Sequence, residues 1–252
     1  MKLLKIGIIQ MVVKNLDLKR ALNFLSAMTL LFFFNAVNAE EINKQNNTTP
    51  DRKGLIEQRT DKKLDKISLD NISEFKISEL DIRSAFRYNN GYLVFGTYFP
   101  VNGRFSKHDS ENNYGYRMLW LNSEKSELYS SDGAMDSYIY NPTFYSDKTA
   151  SRLVVLVQKG SEYFENVDVF YIQNEAIKYI GEVSVYSPNE GIAISSLISV
   201  HVIGSKGLEF RFNSTPLLIK DSSDEANYLP VNGEHIKYIY DASGFRRLIT
   251  VK

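Results

Sequence analysis

Three histidines are natural first candidates for chemistry, because imidazole ligates metals and moves protons near neutral pH. They are His108, His201 and His235. None has an HxH or HxxxH partner, so the local chain converges no pair of imidazoles on a metal. The chain has no cysteine, which removes thiolate ligands, thiolate nucleophiles and disulfides. No metal site and no cofactor is expected.

Serine is abundant, but its settings are poor ones for a nucleophile. No GxSxG elbow lifts a serine onto a strained strand-to-helix turn. Ser73-Glu74-Phe75-Lys76 has SxxK spacing but lacks the SDN and KTG companions. A Ser-His-Asp set can still assemble from distant positions, since geometry and not spacing defines it. Two carboxylate-rich stretches, Asp132-Gly133-Ala134-Met135-Asp136 and Asp221-Ser222-Ser223-Asp224-Glu225, lack the spacing of a helix-loop-helix calcium loop and read as solvated turns. Gly204-Ser205-Lys206-Gly207 reads as a hairpin turn and not a phosphate loop.

Aromatic side chains are the stronger signal: 16 Tyr, 15 Phe and one Trp. Tyrosine and tryptophan join a large ring to a polar handle, which suits both sheet margins and binding surfaces. They concentrate in Tyr114 to Trp120 and in Tyr138 to Tyr145. Between Pro100 and Asn113 runs a long loop of mixed charge, PVNGRFSKHDSENN, of the kind that often serves recognition. The candidate binding residues are therefore Tyr114, Tyr116, Trp120, Tyr138 and Tyr140, with Arg104 and His108 from the loop.

Strands must position these residues. Ile82 to Tyr88 and Tyr92 to Tyr98 flank Asn89-Asn90-Gly91, a tight hairpin signal. Further strands are expected at Tyr116 to Leu121, Arg152 to Gln158, Val167 to Ile172, Ala176 to Tyr186, Ile192 to Ile203, Leu208 to Phe212, His235 to Tyr240 and Phe245 to Val251. In VDVFYIQ both alternating faces are partly apolar, which suits a sheet covered on two sides. LVVLV at Leu153 to Val157 reads as a central strand. The predicted class is all-β, an antiparallel sandwich or irregular barrel, with a small propeller as the alternative. An echo, Ile-Lys-Tyr-Ile at 177–180 and again at 236–239, is the only hint of repetition.

The amino-terminal segment reads as an address. Lys14, Lys19 and Arg20 precede a mostly apolar run from Ala21 to Phe34, and Val37-Asn38-Ala39 offers a small residue for a peptidase. That order is the pattern of an export signal, and the run is shorter than a membrane span of about 20 residues. The expected organisation is a signal peptide at 1–39, a flexible leader at 40–67 and a single β-rich domain at 68–252. Removing the signal leaves 25 basic and 29 acidic residues, a mildly acidic surface with no broad pull on nucleic acid.

The function expected is that of an exported, non-enzymatic binding protein in the periplasm or medium. Its partner is expected to be a protein of the cell envelope, as for an inhibitor or immunity-type protein. A carbohydrate-binding or surface-assembly module is one alternative, with a sugar as ligand. An exported glycan or peptide hydrolase is another. No nucleic acid partner and no permanent membrane span after signal cleavage are expected.

Overall fold

The computed structural model describes residues 61–100, 105–147, 152–161, 164–174, 176–189, 191–220 and 228–250. The expected signal peptide, the leader up to residue 60, Arg104 and the acidic stretch from Asp221 to Glu225 lie outside the described residues. The fold is all-β, with antiparallel sheets packed face to face, as expected for a sandwich, and none closes into a barrel.

Three up-and-down meanders follow one another along the chain. Sheet I holds β4 (Leu80–Tyr88), β5 (Gly91–Tyr98), β6 (Arg117–Asn122) and β7 (Glu127–Ser130). Sheet II holds β8 (Ile139–Asp147), β9 (Arg152–Gly160), β10 (Phe164–Gln173) and β11 (Ala176–Val183). A single helical turn, α1 (Ile194–Leu197), then leads into sheet III. That sheet holds β12 (Ile198–Ile203), β13 (Gly207–Phe212), β16 (Ile236–Asp241) and β17 (Gly244–Ile249). The hairpin of β14 (Pro216–Lys220) and β15 (Tyr228–Asn232) is inserted between its second and third strands.

Two-fold alternation explains the layering. On β9, Leu153, Val155 and Val157 pack with Leu93, Phe95, Met118 and Trp120 of sheet I. The intervening Val154 and Leu156 pack with Val200, Val202, Leu208 and Phe210 of sheet III. Sheet II is thus covered on both faces, and β9 lies at its centre, which accounts for the unbroken apolar run. A third cluster, with Phe75, Leu80, Val94 and Leu119, covers the other face of sheet I.

Four-strand meanders are the blade unit of a propeller, and the sequence echo does not mark them. Ile177–Ile180 lies in the last strand of sheet II, whereas Ile236–Ile239 lies in the third strand of sheet III. The repetition is one of topology.

The segment 61–71 corrects the boundary of the expected leader. β1 (Asp61–Lys63) pairs with β12, β2 (Asp65–Ile67) pairs with β8, and β3 (Asp70–Asn71) pairs with β4. One strap thereby adds to the first strand of each meander in turn. Its charged side chains stay exposed, Leu64 is buried in the core, and Ile67 and Leu69 pack partly buried against the cluster between sheets I and II. Main-chain pairing does not depend on side-chain type, so a polar sequence can complete a sheet edge.

β8 adds a strand that the expected set lacks, and it carries most of the second aromatic cluster. Pro142 lies where β8 pairs with β9 alone, since β2 meets β8 only at 144–146, so the strand has an open edge at the proline. Among the described residues no helix is long and apolar enough to cross a membrane.

Candidate functional site

The connection from β5 to β6 is anchored at its root by a buried ion pair. Arg117 is almost fully buried, and its guanidinium pairs with Asp109, which also accepts a 2.7 Å bond from Ser106 Oγ. The Tyr98 ring lies 5.2 Å from that guanidinium, and the His108 ring stacks on Tyr98 at 4.2 Å. The Tyr98 hydroxyl in turn donates to Glu127 Oε2 at 2.9 Å. Burial, and then the nearby Glu127 carboxylate, push the Tyr98 phenol well above its ordinary value.

Beyond this root the connection is zipped to the one between β7 and β8. Met135 N donates to Tyr114 O at 2.8 Å, and Ala134 N donates to Tyr116 O at 2.7 Å. Asn113 braces the same junction: its Nδ2 donates to Asp132 Oδ1 at 3.0 Å and its Oδ1 accepts from Gly133 N at 2.7 Å. Two glycines permit the approach. A Cβ on Gly133 would collide with the Tyr114 carbonyl, and Gly115, at φ +91°, faces the Met135 carbonyl.

On this braced backbone stand the exposed rings. Tyr138 is 70% exposed, Met135 50% and Phe105 47%. The rings of Phe105 and Tyr114 lie 5.2 Å apart, and the Tyr114 hydroxyl donates to Asp136 Oδ1 at 2.7 Å. Arg83 closes the far side, donating to Tyr138 O at 2.6 Å while its guanidinium sits 5.6 Å from the Tyr116 ring.

Of the residues expected from sequence, Tyr114, Tyr116 and Tyr138 come together here. His108 lies at the root of the same connection, against Tyr98. Trp120 and Tyr140 do not belong to the surface. Trp120 is 3% exposed and Tyr140 is fully buried, both in the core between sheets I and II. The alternating register that aligned Trp120 with Tyr116 continues from the loop into a strand whose inner face is core.

Sequence reasoning missed Phe105, Met135 and Arg83. Phe105 falls within the expected recognition loop, whereas Met135 sits between Asp132 and Asp136, in a stretch whose sequence signal is its carboxylates. Those carboxylates serve the loops: Asp132 holds Asn113 and Asp136 holds Tyr114.

A Ser-His-Asp set does assemble, at the strap. His201 Nδ1 lies 2.8 Å from Asp61 Oδ1, and His201 Nε2 lies 3.2 Å from Ser199 Oγ. Its surroundings favour a structural lock. Asp61 Oδ2 is held at 2.7 Å by Arg211, which with His201 draws the carboxyl below its ordinary pKa. Acyl transfer needs N–H groups aimed at the oxyanion. Val200 and His201 lie in the ladders of β12, so their amides run in the sheet plane while Ser199 Oγ stands off the face.

No family model, curated protein or solved structure matches the chain.

Proposed function

We propose that this chain is an exported, non-enzymatic binding protein that engages a protein partner of the cell envelope through the braced loops. The reading rests on one observation: Phe105, Tyr114, Met135 and Tyr138 present apolar and aromatic surface on a backbone cross-linked by four hydrogen bonds and two close glycine contacts, between 113–116 and 132–135. Exposed aromatic anchors held in one geometry lose little entropy on binding, and aromatic side chains dominate interface energetics. Asp136 and Arg83 supply polar edges of both signs, as in the rim of a protein interface.

Export follows from the amino-terminal pattern of basic flank, short apolar run and Val-Asn-Ala. It is supported when intact mass of the protein from its native host begins at Glu40. An inhibitor or immunity-type protein, acting by occlusion, fits a site built of anchors and not of reacting groups.

The binding test compares wild type with a Tyr114→Ala/Tyr138→Ala double variant as bait for envelope extract. Wild type should retain one stoichiometric protein. The double variant should weaken that complex by about 2 kcal/mol or more, a loss of roughly thirtyfold, with its melting temperature nearly unchanged. Equal retention by both baits rejects this face as the binding site.

A further inference from the structure

A separate cleft of about 170 Å³ opens between sheets I and II, beside the β7–β8 connection. One wall is Tyr129 with the Ser131–Ala134 backbone. The other is Lys159, Asp168, Phe170 and Tyr179. The geometry points to a binding site for a single neutral sugar ring. This goes beyond the protein-binding reading, and of the side chains that brace or form that face it shares only Asp132.

Size sets the first limit. Clefts that hold drug-sized molecules run to about 300–1,000 Å³, so this one suits a single ring. The walls supply an apolar face. Phe170 is flanked by Tyr179, centroids 5.4 Å apart, and by Tyr129, 6.5 Å away. Tyr179 is nearly half exposed and available to the carbon face of a flat ring.

The polar groups set the second limit. Lys159 Nζ lies 2.6 Å from Glu182 Oε2 and 3.0 Å from Asp168 Oδ1, which leaves one ammonium N–H unspent. Asp168 Oδ1 also accepts from the Tyr179 hydroxyl at 3.3 Å, leaving Oδ2. Asp132 gives Oδ1 to Asn113 and keeps Oδ2. Behind the wall, near Ser131, Tyr129, Tyr179 and Asp168, the buried Tyr140 hydroxyl makes no hydrogen bond of proper geometry. Ser131 Oγ is already engaged by Met118 N and Asp132 O.

The cleft therefore offers unspent donors and acceptors together, beside aromatic surface. An anion would face Asp132, Asp168 and Glu182. A simple cation would approach the Lys159 ammonium and leave its free N–H unmatched. A hydroxyl both donates and accepts, so a ring of hydroxyls meets the whole set.

The test is an amide-resolved NMR titration of the purified protein. The probes are glucose, galactose, mannose and N-acetylglucosamine, a short oligosaccharide ending in whichever sugar binds, and methylammonium and acetate as charged controls. At least one neutral sugar should shift the amides of Ser131 to Ala134 and of Tyr179 saturably. The oligosaccharide arm separates a free sugar from a glycan end, and tighter binding there assigns the glycan. Asp132→Ala, which leaves the core intact but also removes the Asn113 brace, should weaken binding about tenfold, whereas Asn113→Ala, which removes the brace and keeps the Asp132 carboxylate, should not. Asp168→Asn should weaken it at least as much where that variant folds. Absence of shifts with every neutral sugar, shifts with methylammonium alone, or undiminished binding by Asp132→Ala would each overturn the assignment.

Discussion

At the scale of single residues, Trp120 fills the core between sheets I and II, whereas Tyr138 stands in solvent at the loops. The distinction depends on where a strand begins: Arg117 opens β6, and every residue from Arg117 to Leu121 is buried. Trp120→Ala should therefore cost about 3–5 kcal/mol in chemical denaturation. Tyr138→Ala should fall within about 0.5 kcal/mol of wild type. The Ser199-His201-Asp61 set could not be seen at all, because its members are brought together by the strap from 140 positions apart. If it is a lock, a fluorophosphonate probe should leave Ser199 unlabelled by mass spectrometry. Stoichiometric labelling of Ser199 would revive the hydrolase reading.

At the scale of elements, strands with apolar faces were readable and edge strands were not. DKKLDKI has no period-two apolar pattern, yet it docks through main-chain bonds, Leu64 and charges. Leu64→Ala should cost about 2–5 kcal/mol and detach the strap, read as lost amide protection at 62–67. The Asp61 carboxyl has a lowered folded-state pKa, chiefly through Arg211 with His201 adding to it. Its contribution is thus present above the unfolded value of about 4 and fades as pH falls through the folded value. The melting-temperature gap between wild type and Asp61→Asn should be open at neutral pH and close in acid. The loop brace makes a parallel demand on Gly133, where any side chain meets the Tyr114 carbonyl. Gly133→Ala should perturb the amides of Tyr114 to Tyr116 while leaving those of sheet III unchanged.

At the scale of the whole molecule, the all-β class and two-sided burial of sheet II were legible from LVVLV and VDVFYIQ. The threefold repetition of a four-strand meander was not, because pairing order is carried by turns and backbone and leaves no repeated side-chain string. What the assembly achieves is a rigid support: three stacked sheets, joined at their first strands by one strap, carry the loops at one end of sheet I. We propose that this end meets the protein partner. Photo-crosslinkers placed singly at Tyr138, Phe105, Lys178 and Leu248 in the native host test it most directly. Tyr138 and Phe105 should yield the same discrete protein adduct, and Lys178 and Leu248, on sheets II and III, should yield none. An adduct at Lys178 or Leu248 with none at the loops would move the binding face away from this end.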